Sequence, residues 1–313
     1  MYFPYLRGRQ FELIAIRELI EQSLIGESII PVIEPVKLSS ALLKTLSVFQ
    51  KNDRCLGLVR NPRVGNFKKE LADKKNEKNK DKFYELLNIP NILTFLFVDA
   101  NIAVNYSSLE SAGIKRSDVA TICASPDAIP HFESFFTSGY PRFNFIPDES
   151  VYRRRLPRQK ILFEDRFPKK SRNVDYADLE DEPFSSDHIY YSQDGYIGFS
   201  DFSVIGDDYS ETGFAPYAVA IHIVYYDAGK NLRIRHFVSE TNDDITDPAG
   251  KFAEALEKLV KWNRTQKLDT FGIRTFEEMY RSHTYPGLGT VKKLSIMHHL
   301  ELMNRFLDRV AGR

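Results

Sequence analysis

ILTFLFVDA, residues 92–100, is an almost unbroken apolar run that ends in a carboxylate. A strand with one face in water alternates apolar and polar side chains. A run that is apolar at nearly every position suits a parallel strand covered on both faces. Runs of the same kind recur upstream at CLGLVRN (55–61), IIPVIEP (29–35) and YFPYL (2–6). Downstream they recur at VATICAS (119–125), RFNFIPDE (142–149), KILFEDR (160–166) and GYIGFSDFSVIG (195–206). Segments of helical period lie between them. FELIAIRELIEQSL turns Phe11, Ile14, Leu19 and Leu24 toward one broad face, and LSSALLKTLSVFQ opens on Ser39 as an N-cap.

Eight such strands with helical segments between them predict an α/β fold, a (β/α)-barrel (TIM-like), although the connection between the sixth and seventh strands is short for a helix. An open doubly wound sheet is the alternative, but no Gly-rich phosphate turn follows the first strand. After Gly206 the pattern changes. APYAVAIHIVYYD (215–227) and NLRIRHFVSE (231–240) alternate and are joined by AGKN, which predicts an antiparallel hairpin. Helices follow, the first with Asp247 as its cap and Pro248 in its first turn, the last at TVKKLSIMHHLELMNRFLDRV. Residues 1–206 are therefore expected to form the barrel-like core, and 207–313 a hairpin and helical extension packed on it. Two stretches interrupt the rhythm. KKELADKKNEKNKDK (68–82) reads as an exposed helix or mobile loop, and the polar stretch 167–194 as a lid, an insertion or a mobile segment.

Lys and Arg number 43 and so do Asp and Glu, so no global field draws the chain to nucleic acid or to an anionic membrane. Cys55 and Cys123 sit in apolar runs with no second cysteine at ligand spacing, which predicts reduced core residues rather than a zinc or thiolate site. The opening MYFPYLRGRQFEL carries charges where a signal peptide needs an apolar stretch, and no run is long enough to span a bilayer. A cytoplasmic protein with no membrane partner is the expectation.

A polar or charged residue stands at the C-terminal end of nearly every strand, the edge where α/β barrels and sheets build their sites. Arg7 follows the first strand, Glu34 and Lys37 the second, Arg60 and Asn61 the third. Asp99 follows the fourth, Asp165 the seventh and Asp201 the eighth. The period of two puts Glu34 on the face of Ile30 and Val32, Asp99 on that of Phe95 and Phe97, and Asp165 on that of Ile161 and Phe163. A carboxylate so placed stands over the barrel core, where burial shifts its pKa or favours a metal. Glu34, Asp99 and Asp165 are therefore the candidate catalytic residues, with Arg7, Lys37, Arg60, Asn61 and Asp201 as candidate substrate-binding groups. Each charge taken alone is also what a strand emerging into solvent would carry.

Other signals are weaker. RRRLPR (153–158), with Lys169 and Lys170, suits phosphate contact or a solvated connection. His298 and His299 are adjacent, so they diverge around their helix instead of forming a metal pair. The GLG at 287–289 precedes a helix, whose N-terminus could take an anion. No nucleophile elbow, P-loop or kinase signature occurs.

YFPYLRGRQFELIAIREL, IIPVIEPVK, GFSDFSVIGDDYSETGFAPYAVAIHIVYYD, RIRHFVSE and MHHLELMNRFL together resemble the bacterial and phage Beta-protein family and a bacterial family close to it. The resemblance runs over essentially the whole chain. It implies a barrel-like α/β fold and a bacterial origin, often in phage-related or mobile gene neighbourhoods. It carries no reaction. The similar residues include Arg7, Gly8, Glu12, Ile33, Glu34, Pro35 and Asp201, which fall on or near the same strand edge.

Two functions follow as expectations. One is a barrel hydrolase acting on a phosphodiester or a glycoside through the carboxylates, as metal ligands or as acid and base. The other is a non-catalytic module of a defence or mobile-element system that binds a protein or nucleic acid. The cofactor stays open, with a divalent metal as the candidate, and the partner is an anionic small molecule, a nucleic acid or a protein.

Overall fold

A computed structural model of the chain describes residues 1–87, 90–179, 181–210 and 217–312. Two compact units emerge. The first comprises Met1–Leu13, Glu27–Asp165 and Tyr190–Phe202, and the second Ile14–Gly26, Arg166–Ile189 and Ser203–Arg313.

In chain order the elements through the first six strands are β1 (Tyr5–Leu6), α1 (Gln10–Glu21), β2 (Val32–Ile33), α2 (Ser40–Lys51), β3 (Leu56–Val59), α3 (Phe67–Ala72), α4 (Glu77–Leu87), β4 (Ile92–Phe97), α5 (Ile102–Ser111), β5 (Val119–Ile122), α6 (Ala128–Phe135) and β6 (Phe143–Ile146). Then come α7 (Ser150–Arg155), β7 (Lys160–Phe163), β8 (Asp181–Ser185), α8 (Asp187–Tyr190) and β9 (Gly198–Ser200). The chain continues with β10 (Ala220–Tyr226), β11 (Leu232–Val238), α9 (Pro248–Gln266), α10 (Phe271–Ser282) and α11 (Leu288–Val310).

In the first unit eight parallel strands pair in the order β1-β2-β3-β4-β5-β6-β7-β9. The Phe3 and Tyr5 amides donate to the Phe199 and Asp201 carbonyls at 2.9 and 2.8 Å, which brings the last strand back against the first. The sheet thus nearly closes on itself, the TIM-like barrel that the apolar runs predict. The first two strands are cut to two residues each because Pro4 and Pro31 have no amide to give the ladder, although both carbonyls accept from the neighbouring strand. The short connection from β6 to β7 does hold a helix, the six-residue α7. The charged stretch 68–82 is helical and largely exposed.

Aromatic rings fill the barrel. Phe3, Tyr5, Phe95, Phe97, Phe145, Phe163 and Phe202 belong to one buried cluster. Phe145 meets Phe3, Phe95 and Phe163 edge-on at centroid distances of 5.3, 5.1 and 5.9 Å, the geometry that ring quadrupoles prefer. Such bulk needs a compensating gap. At Gly57 a Cβ would stand 2.6 Å from the Phe95 ring, so glycine is what lets that ring cross the interior.

In the second unit β10 and β11 form the expected hairpin and β8 adds a third antiparallel strand, in the order β10-β11-β8. Of the expected first strand of the hairpin, residues 215 and 216 lie outside the described residues. The stretch 167–194, expected as a lid, insertion or mobile segment, is an insertion between β7 and β9 that supplies β8 and α8. Its polar sequence fits an edge strand, where Pro183 is tolerated. Asp247 caps α9 by accepting from the Gly250 amide at 2.9 Å, with Pro248 in the first turn as expected. Gly272 lets α10 cross α11 closely, since a Cβ there would stand 2.4 Å from the Leu294 carbonyl oxygen.

Candidate functional site

The inward positions of the strands lead upward to the mouth of the barrel. Tyr5, Val32, Val59, Phe97 and Phe163 face the interior, so Arg7, Glu34, Asn61, Asp99 and Asp165 continue the inward phase past the strand ends. Counted from these observed inward residues, the period of two again puts the three carboxylates on the inward phase. It also corrects one expectation. Val59 faces inward, so Arg60 faces outward, and its guanidinium lies over the Phe83 ring of α4 at 5.9 Å. Burial there lowers the Arg60 pKa from its ordinary value.

Glu34 is the hub of the mouth. It is wholly buried and accepts from the Tyr5 hydroxyl at 2.8 Å, from the Arg63 amide at 2.6 Å and from the Arg7 guanidinium. A buried carboxylate is tolerated only when its charge is matched and its lone pairs are used, and both conditions are met. The Tyr5 hydroxyl is held well above its ordinary pKa by burial and then by the Glu34 charge. Arg7 rests over the rings of Phe202 and Tyr5 at 5.1 and 5.5 Å, with its side chain 13% exposed.

Arg63 is the residue that the strand-end pattern does not reach, because it lies three residues beyond Arg60 in a loop where no period runs. Gly65 sets that loop. Its φ is +75° and a Cβ would stand 2.4 Å from the Val36 carbonyl oxygen, so the β3 loop can lie directly on the β2 loop. The Arg63 guanidinium lies 4.1 Å over the centroid of Phe97 and makes no hydrogen bond or ion pair among the described residues. Its charge is felt by Tyr5 and by the buried Cys123, whose pKa burial pushes up to about 12.

The remaining candidates divide. Asp99 is half-buried and accepts from the Asn101 amide at 2.8 Å through one oxygen, while its other oxygen has no partner among the described residues. Asn61 is spent on structure, giving to the Phe97 carbonyl at 2.9 Å and accepting from the Phe97 amide at 2.8 Å, so its side chain prolongs the β3–β4 ladder. Asp165 and Lys37 are exposed. Asp201 is buried on the outward phase and accepts from the Tyr2 hydroxyl at 2.6 Å. No three His, Cys, Asp or Glu side chains among the described residues are grouped to hold a metal ion.

No known family's model matches this chain, and no curated protein matches its sequence.

Two of the four arginines at 153–158 are neutralised, Arg153 by Asp148 and Arg155 by Glu133. His298 and His299 do diverge and both are buried. His298 bonds the Thr270 hydroxyl at 2.7 Å and the Val224 carbonyl at 2.6 Å, and His299 bonds the Ser203 hydroxyl at 2.8 Å. Among the described residues no helix is long and apolar enough to cross a membrane.

Proposed function

We propose that the mouth of the barrel binds a phosphodiester and that Asp99 is the proton-transfer group in its hydrolysis. The observation that carries this reading is Arg63, a guanidinium stacked on Phe97 with no acceptor among the described residues. Planar guanidinium forks suit phosphate oxygens, and a ring beneath the fork fixes its plane. Arg7 adds a second guanidinium, oriented by Glu34, and Lys37 stands exposed at the rim.

Glu34 is saturated, so its part is to position Arg7 and the Arg63 loop. Asp99 keeps an oxygen for chemistry. It takes a proton from a water whose oxygen attacks phosphorus; the phosphorus–oxygen ester bond breaks and the departing alkoxide is protonated by solvent. A glycoside would ask for a pair of carboxylates, whereas two guanidinium groups, Arg7 and Arg63, favour the phosphodiester.

Two variants test this. Arg63→Ala should weaken binding of dimethyl phosphate, measured calorimetrically, by about 10–100-fold, the worth of a charged hydrogen bond. Asp99→Asn should leave that affinity intact and cut turnover of bis(p-nitrophenyl) phosphate by roughly 10²–10⁴-fold. Unchanged affinity in Arg63→Ala would remove the reading at its base.

A further inference from the structure

The second unit holds a cavity of about 300 Å³ whose wall includes Lys170, Ser171, Asn173, His222, Lys292 and Ser295. That volume is at the lower end for small-molecule sites. His222 does not stand alone in this wall. It lies on β10 directly opposite His236 on β11, and the two Nδ1 atoms are 2.7 Å apart. His236 in turn places its Nε2 3.0 Å from a carboxylate oxygen of Glu182 on β8. Three strands thus contribute one link each to a Glu182–His236–His222 chain. The Tyr176 ring packs against both imidazoles at 4.6 Å and closes the chain from the side.

The chemistry of the three groups gives the chain a direction. An ionised carboxylate only accepts, so His236 must donate its Nε2 proton to Glu182. A neutral His236 then has a lone pair on Nδ1, and His222 must donate its own Nδ1 proton there. This leaves His222 Nε2 with a lone pair and no partner among the described residues, on a residue that lines the cavity. Burial, then the neighbouring His236, holds the His222 pKa well below its ordinary value, and burial also lowers that of His236, so both rings are neutral at pH 7. The cavity therefore combines a fixed acceptor with cationic groups. The Lys170 ammonium makes no hydrogen bond or ion pair among the described residues, and the first turn of α11, at Leu288, adds its positive dipole end.

We propose that this cavity is a binding site for a small oxyanion that still carries a hydroxyl, with Lys170 and Lys292 taking the charge and His222 Nε2 accepting the hydroxyl proton in a hydrogen bond. The pairing is selective. An anion without a proton turns oxygen lone pairs toward the Nε2 lone pair. To accommodate it, the histidine chain would have to reverse, and Glu182 cannot donate. Hydrogenphosphate carries the required hydroxyl at neutral pH, whereas sulfate, of nearly the same shape, carries none. None of the lining residues is one assigned to the barrel mouth, and the proposal does not depend on that assignment.

The test is calorimetric titration of the full chain at pH 7.5 and matched ionic strength with phosphate and with sulfate. Arg63→Ala serves as the background, so that any binding at the barrel mouth is suppressed. Phosphate should bind at least about tenfold more tightly than sulfate, a difference of about 1.4 kcal/mol. Lys170→Ala should weaken binding of phosphate. Glu182→Gln should shrink the preference for phosphate over sulfate, because an amide can donate to His236 and let the chain reverse; His222→Asn, at a half-buried position, should do the same if Glu182→Gln unfolds. A 2-hydroxy acid run beside its deoxy analogue extends the comparison to organic anions, and the hydroxy acid should bind more tightly. Equal affinity for phosphate and sulfate in the background protein, no binding of either at millimolar concentration, or a preference that survives both relay variants would each overturn the proposal.

Discussion

Phe95 in the barrel and His298 in the second unit are both sealed from water, yet they make opposite demands on their surroundings. Phe95 needs only shape: a neighbouring ring at 5.1 Å and a glycine where its edge passes. His298 needs partners of defined hydrogen-bonding sense, found at Thr270 and at the Val224 carbonyl. The contrast extends across each unit. The barrel is filled with rings that have no charge to lose. The second unit encloses His188, His222, His236, His298 and His299, all with pKa values lowered mainly by burial. Apolar packing is indifferent to pH, whereas buried neutral imidazoles tie stability to it.

The largest effect should come from cutting into the ring cluster. Phe145→Ala leaves a void among three partner rings and should cost about 3–5 kcal/mol in urea unfolding followed by near-ultraviolet dichroism. A loss below 1 kcal/mol would mean that the barrel interior is more adaptable than the histidine network.

Acid should strike the second unit next. His298 and His299 are pressed down to about 4 and about 3. In the unfolded chain each takes a proton near pH 6.5, so below that pH the unfolded state binds more protons and stability falls as pH drops toward the folded values. By pH 5 this amounts to about 2 kcal/mol for each histidine, at about 1.4 kcal/mol per pKa unit. Trp262, the chain's one tryptophan, packs edge-on against Tyr225 and tilted against Phe237, and so reports on this unit. Its melting transition should move down steadily from pH 6.5 to 5. A flat profile would erase the contrast.

The smallest of the three tests the barrel's own exception, the Glu34 charge. Glu34→Gln keeps the shape but weakens the grip on Arg7, and should cost about 1.5–3 kcal/mol. Thermal denaturation above pH 6.5, where the histidines are silent, isolates that change.

The barrel was legible because its strands are buried on both faces and therefore read as apolar runs. The same alternation puts Glu34 and Asp99 in phase with Val32 and Phe97, which the interior cluster contains. Arg60 was misplaced because a position after a strand says nothing about side until its phase is counted from Val59. Arg63 had no strand to give it a phase. Strand β8 was hidden by its own chemistry, since DEPFS has neither an apolar run nor a proline-free ladder. The His222–His236 pair was within reach. Tyr226 faces Leu232 across the AGKN turn, and counting back along the two strands brings the histidines opposite each other. Their link to Glu182 depended on β8 and was not.

The position of β8 in the chain also bears on synthesis. It is made before β9, the strand that completes the barrel sheet, but its partner β11 begins only at Leu232. At about 5–20 residues per second, a ribosome leaves it waiting roughly 2–9 s with an open edge. An apolar segment exposed for that long would invite pairing with another nascent chain. DEPFS, with two acids and a proline, is poorly suited to such pairing, so the composition that hid this strand from sequence reading also guards it while it waits.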